Sequence, residues 1–329
     1  MRGVARSRSA GGRVTLDEPG TRVPIYLPEQ HVIADIRRRS ILAAALAVPV
    51  TAVLAACTRQ EPAPRATLGG GADGQPAASG SSPAVSSVEP ATLSVSGGET
   101  VTLTGAGLSG ATAVMFAGTA GTDLQVAGDG SVTVVAPRST DYEDRSADIE
   151  VMAGDAPLTA ATAAYAAQTP VDKQLQYALA HWDAYNLAEY GDFNPSGGDC
   201  VNFVSQSLIQ RGWEMTTEWH NRGGGSDWTY AWIHVPTFDK WLTANASTLG
   251  VTRLELADRD ELKVGDIVIF DWNRNSSPDH TQIVSAIEPK DGGNVVKMVG
   301  HNLDNDYRDL DETITTEHPG AEVHFWSVA

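Results

Sequence analysis

The sequence predicts two folded parts in series, a β-sandwich followed by an α+β domain. Three observations predict this. Short β-branched runs separated by glycines fill residues 87–168. All eight tryptophans lie beyond that stretch, from Trp182 to Trp326. From Pro170 onward, helical apolar spacing comes first and strand-like runs come after, the order of an α+β plan.

Residues 1–56 precede both parts and read as a leader and signal peptide. Arg37-Arg38-Arg39 is followed by the apolar stretch 41–56, which closes on Leu54-Ala55-Ala56-Cys57. A basic region, a short apolar region and small residues at a cleavage point make a signal-peptide plan. The stretch contains Pro49 and is shorter than the roughly 20 residues a spanning helix needs. Leu-Ala-Ala-Cys resembles a bacterial lipobox. The resemblance implies that Cys57 is lipidated and anchors the chain to the outer face of the cytoplasmic membrane. Arg38-Arg39-Ser40-Ile41-Leu42 also resembles a twin-arginine (Tat) export signal. Residues 1–36 carry no pattern and read as a start assigned too early, with Val32 as one candidate for the true start.

Residues 1–56 hold eight Lys/Arg and four Asp/Glu, so their removal takes the net charge from −18 to −22. A body this acidic argues against nucleic acid and against charge-driven binding to anionic lipid. Location then comes from the tether. With Cys57 anchored, no second thiol is left to pair with Cys200, and stability must come from the core.

Residues 57–86 are rich in Pro, Gly, Ser and Ala and read as a flexible stalk, because they cannot bury enough apolar surface to offset their ordering entropy. In 87–168, strands are expected at 100–104, 113–116, 131–135 and 148–151. Val88-Glu89-Pro90-Ala91, Ser96-Gly97-Gly98, Val101-Thr102-Leu103-Thr104-Gly105-Ala106-Gly107-Leu108 and Val114-Met115-Phe116-Ala117-Gly118 together resemble an IPT/TIG immunoglobulin-like domain. That resemblance brings no catalytic residues. It implies a spacer or an interaction module whose partner the sequence does not name.

In 169–329, Thr169 and Pro170 fit an N-cap and first helical position, followed by Val171, Leu175, Ala178, Trp182 and Tyr185 at helical spacing. A second helix is expected from Cys200 to Arg211, closed by Gly212, with Phe203, Val204, Ser207 and Leu208 as its buried stripe. Strand-like runs follow at 265–272, 280–287, 295–301 and 322–328.

Cys200 is the candidate nucleophile. Asp199 suits an N-cap, which puts the thiol at a helix start, where free N–H groups and the dipole favour a thiolate. The apolar stripe lies elsewhere on the helix, so Cys200 is expected at its exposed end. Gly197-Gly198 lets a substrate backbone approach. Asp291-Gly292 is a two-residue hairpin signal. If Lys290 pairs with Gly293 and the ladder runs on unbroken, His301 faces Gln282 and His280 is its diagonal neighbour on the same face. His280 is then expected as general base toward Cys200, with His301 holding its other ring nitrogen.

Ala180-His181-Trp182-Asp183-Ala184-Tyr185-Asn186, Tyr190-Gly191-Asp192-Phe193, Gly198-Asp199-Cys200-Val201-Asn202-Phe203-Val204-Ser205-Gln206, Lys263-Val264-Gly265-Asp266-Ile267-Val268, Asp279-His280-Thr281-Gln282-Ile283-Val284 and Gly300-His301 together resemble the amidase domain related to NlpC/P60 and CHAP enzymes. The resemblance covers about residues 170–329. It implies a papain-like fold and a Cys-His-polar site of Cys200, His280 and His301. Val201 departs from the Thr or Ser of many relatives. The Cys200 N–H is one expected oxyanion donor, with Asn186, Asn194 or Asn202 as the second. Asn302 and Asp304 are alternatives to His301. Trp228 and Trp232, after Gly223-Gly224-Gly225, are read as lining a cleft. His181, His220, His234, His318 and His324 are read as structural or solvated, and no cofactor is expected.

The functional expectation is an exported, lipid-anchored cysteine amidase or peptidase acting on cell-wall peptidoglycan. Two rivals stand beside it: a transferase using the same acyl-enzyme, and a catalytically silent surface-binding lipoprotein that uses the sandwich module.

Overall fold

The computed structural model describes residues 82–290 and 293–329. The leader, the Cys57 lipobox, the stalk through residue 81 and the Asp291-Gly292 turn lie outside the described residues. Among the described residues, no helix is long and apolar enough to cross a membrane.

Nine strands make the first part. They are β1 (Ala84–Glu89), β2 (Thr92–Ser94), β3 (Thr100–Ala106), β4 (Ala113–Phe116), β5 (Thr119–Ala120), β6 (Thr122–Val126), β7 (Ser131–Val135), β8 (Arg145–Ala153) and β9 (Ala156–Ala166). One sheet runs β1-β3-β7-β6 and the other β2-β9-β8-β4-β5. Alternation places Val101 and Leu103, Val132 and Val134, Val114 and Phe116, and Ile149 and Val151 in one shared core. Strand β1 begins inside the stretch read as stalk. The β8–β9 hairpin extends well past the expected 148–151. In β9 most alternating residues are alanines, which carry little hydropathy contrast, so the sequence pattern is faint.

Helix α1 (Pro170–His181) starts the second part as expected. Thr169 accepts from the Asp172 N–H, and the Asp172 carboxylate accepts from the Thr169 N–H, a reciprocal capping box with proline at the first position. After it come α2 (Leu187–Tyr190), α3 (Cys200–Arg211), α4 (Tyr230–Ile233) and α5 (Val235–Leu249). Gly212, at φ 107, ends α3 in the left-handed region where glycine is at ease. A two-stranded ribbon, β10 (Asn221–Arg222) with β11 (Asp227–Trp228), closes around the glycine turn. The strands β12 (Val251–Glu255), β13 (Ile267–Asp271), β14 (His280–Lys290), β15 (Gly293–Gly300), β16 (Asn305–Asp309) and β17 (Glu322–Val328) form an antiparallel sheet in the order β12-β17-β13-β14-β15-β16. Ile267, Ile269, Ile283 and Val299 face the helices; Val268, Phe270, Val284 and Met298 face a second apolar cluster on the other side.

The two parts are docked rather than strung. One continuous apolar cluster runs from the sandwich into α1 and α3. Ser94 donates to the buried Asp172 carboxylate at 2.6 and 2.7 Å, and the Ser96 N–H donates to it at 3.1 Å. Arg138 donates to the Tyr307 hydroxyl at 2.9 Å, and the fully buried Tyr142 hydroxyl donates to the Ser285 carbonyl.

Candidate active site

The lone described thiol sits at the first residue of α3, but it is not exposed. Cys200 is 6% accessible. The backbone N–H groups of Thr281, Val201 and Cys200 itself favour its charged form. Burial nevertheless dominates and pushes the thiol up to about 11, with the Asp199 charge adding to the rise. The expected lowered pKa at an open helix end is therefore corrected. The helix dipole is present, but β14 covers the helix start, and the cost of charging a buried sulfur exceeds what the N–H groups return.

Asp199 precedes the helix yet does not cap it with its side chain. Its Oδ1 accepts from the Asn202 amide at 2.8 Å and the Phe193 N–H at 3.3 Å, and its Oδ2 accepts from His301 Nδ1 at 2.7 Å. His301 Nε2 donates to the His181 carbonyl at 2.8 Å. Both ring nitrogens are thus engaged, one by a carboxylate and one by a backbone carbonyl. The ring is sandwiched by Tyr185, stacked at 3.6 Å between centroids, and by Phe203 at 4.2 Å.

The structure does not bring His280 to this group. Lys290 does pair with Gly293, as expected, and the ladder holds to Ala286 opposite Lys297. It then slips: Val284 pairs with Met298 and Ile283 with Val299, leaving Ser285 as a bulge. Side chains alternate along a strand, so one extra residue exchanges the faces of everything beyond it. The slipped ladder, carried on, sets His301 across from Thr281 on the helix face and turns His280 to the other side. There the His280 ring lies against Phe270 and Trp272, and Nε2 has no partner among the described residues. Burial, with the positive Arg308 and His318 nearby, pulls this imidazole down to about 3. The expected shared face of His280 and His301 is thus corrected by one bulged residue.

The remaining candidates divide. Asn202 is fully buried and structural. Its amide holds Asp199, while its carbonyl oxygen accepts from Trp232 Nε1 at 2.8 Å and Asn221 Nδ2 at 3.3 Å. Trp232 is core, not cleft wall; Trp228 is half-buried, edge-on to Phe193 and Tyr230. Asn186 donates to the Tyr177 hydroxyl and to Glu189. Asn194 accepts from Asn302 Nδ2, and Asn302 Oδ1 accepts from the Asp199 N–H. The Asn302–Asp304 turn thereby lies across Gly198, where an added Cβ would come within 3.0 Å of Asn302 Oδ1. Asp304 accepts from the Tyr185 hydroxyl at 2.7 Å. Asp199 as the partner of His301, and the Thr281 N–H on the sulfur, were not foreseen. Both follow from tertiary pairing that no local residue pattern announces.

Residues 168–326 match the family described as putative amidase domain, and residues 83–166 match the IPT/TIG domain. The chain carries these two domains, and the second implies an immunoglobulin-like sandwich. A stretch of 139 residues is 32% identical to the uncharacterized protein YhbB of Bacillus subtilis (strain 168), covering 41% of this chain and 42% of that protein. The chain therefore spans less than half the length of that curated relative. The amidase match points to an amidase-type hydrolase.

Proposed function

We propose that the protein is a cysteine-dependent amidase of papain-like type, exported and lipid-anchored through Cys57, that hydrolyses amide bonds of peptidoglycan. One observation carries the reading. The lone described thiol lies at a helix start, and the residue just before it, Asp199, holds His301 Nδ1 at 2.7 Å. A cysteine helix packed on an antiparallel sheet that delivers the histidine supports the papain-like assignment.

In this reading substrate displaces the His181 carbonyl from His301 Nε2, the Nε2 proton passes to solvent, and the neutral imidazole, still donating from Nδ1 to Asp199, then takes the Cys200 proton. The thiolate attacks the amide carbonyl carbon, and the backbone N–H groups at the helix start receive the developing oxyanion. The C–N bond breaks as the imidazolium returns its proton to the leaving amine. Water adds to the thioester and releases the carboxylate. Asp199 holds Nδ1 and so fixes which nitrogen does the work. The choice of the cell wall as substrate rests on the export and anchor expectations.

Digestion of purified peptidoglycan tests the reading. Cys200→Ala is expected to release no fragments. His301→Ala is expected to lose about 100-fold or more, the range of a missing general base, and His280→Ala clearly less. Fragments released by Cys200→Ala would sink the mechanism, and a larger loss at His280 would return the base to that residue. A second reading, a surface-binding protein with a closed site, draws on the buried, high-pKa thiol. Failure of iodoacetamide to label Cys200 near neutral pH even with wall fragments present would favour it.

A further inference from the structure

Ser285 stands outside the β14–β15 ladder and is fully buried. A buried carbonyl without a ladder partner needs a donor from elsewhere. That donor comes from the other domain, as the Tyr142 hydroxyl. The Ser285 Oγ in turn donates to the Asp306 carbonyl of β16 at 2.9 Å. Tyr142 is itself held, by Arg138 with its guanidinium 5.5 Å from the ring centre and by Gln176 donating to its carbonyl at 3.2 Å. Asp141 and Tyr142 have φ of 53° and 56°, left-handed values that non-glycine residues keep only when their surroundings impose them.

The strand's own side chains do not favour the register they occupy. Gln282 Oε1 and Nε2 and His280 Nε2 are buried on the far face without partners among the described residues. An unbroken ladder would turn both residues to the helix face. Something outside the hairpin must therefore hold the slip.

We infer that Tyr142 is a positioning residue for the active-site strand: by clamping the Ser285 bulge, the sandwich domain keeps Thr281 on the helix face, the side of Cys200 and His301. The kinetic consequence rests on the cysteine mechanism proposed above; the structural one does not.

The test uses the full chain with Cys57→Ser, so that iodoacetamide can label Cys200 alone. Tyr142→Phe keeps the ring and drops the hydroxyl. Ser94→Ala, the control, cuts a different cross-domain bond that does not reach β14. Tyr142→Phe is expected to speed amide exchange at residues 280–286 by about tenfold or more. It should also move the midpoint of the Cys200 alkylation pH profile, and lower kcat about tenfold with KM held within about twofold. Ser94→Ala is expected to change none of these beyond about twofold. Gln176→Leu, which frees the Tyr142 loop from α1, should give the Tyr142→Phe pattern at smaller amplitude and serves if Tyr142→Phe does not fold. Exchange and profile unchanged in Tyr142→Phe, or both changes reproduced by Ser94→Ala, would overturn the inference. Hydrolysis persisting in Cys200→Ala would instead overturn the mechanism and leave the exchange result standing.

Discussion

Cys200 and His280 are buried titratable groups on opposite faces of one sheet, and burial drives each toward its neutral form. The thiol rises from 9.0 to about 11, so the folded state binds its proton more tightly than the unfolded chain. That contribution to stability is whole below pH 9 and is lost as pH climbs toward 11. Wild type is therefore expected to lose more stability across that window than Cys200→Ala in denaturant melts. His280 has the opposite sign. Its folded value falls from 6.5 to about 3, so its contribution is whole above 6.5 and is lost on acidification toward 3. His280→Phe keeps the stack on Trp272 and removes the unpartnered nitrogen. Its unfolding midpoint should change less with pH across that acid window than that of wild type. An equal acid loss in His280→Phe would mean that other groups dominate the acid limb.

At the scale of elements, α3 is organised by Asn202 as much as by its apolar stripe. Asn202→Ala strands the Trp232 indole N–H and loosens Asp199, at a cost of about 1–3 kcal/mol for each buried group left unpaired. Equilibrium unfolding should show it, and the Asp199–His301 contact should weaken with it. Helices α1 and α3 were legible because their ends are written locally, in Thr169-Pro170 and in Gly212. The first pairs of the hairpin, from Lys290 with Gly293 to Ala286 with Lys297, stand as read. The bulge was not legible. Nothing around Ser285 marks it, and its carbonyl is satisfied by a residue 143 positions earlier in the chain. The histidine placement failed with it, since a face assignment is only as good as the register beneath it. Asp199 misled for a related reason: its side chain has a tertiary partner that outcompetes the local capping bond.

For the whole molecule, the shared core and the Asp172 node imply that sandwich and amidase domain unfold together. Burial pushes the Asp172 carboxyl up, but bonds from Ser94, Ser96, Thr169 and Gln168 outweigh it and hold it below its usual value. Its contribution is thus present above the ordinary carboxylate range and is lost as pH falls through it. Asp172→Ala removes the acceptor for all of these donors. It is expected to cost on the order of 3 kcal/mol and to split one calorimetric transition into two. A single transition at the wild-type midpoint would show that the apolar contact alone couples the domains.

The Tyr142–Ser285 contact also bears on modularity. Sequence boundaries invite cutting this chain near Gln168 and treating the pieces as interchangeable. Yet the carbonyl left exposed by such a cut belongs to the strand that leads into Thr281. An amidase domain transplanted behind another module would keep every motif residue and still lack the donor that satisfies its bulge. The two domains are separable as text and joined as chemistry, so they are expected to be inherited as a pair wherever that bulge is retained.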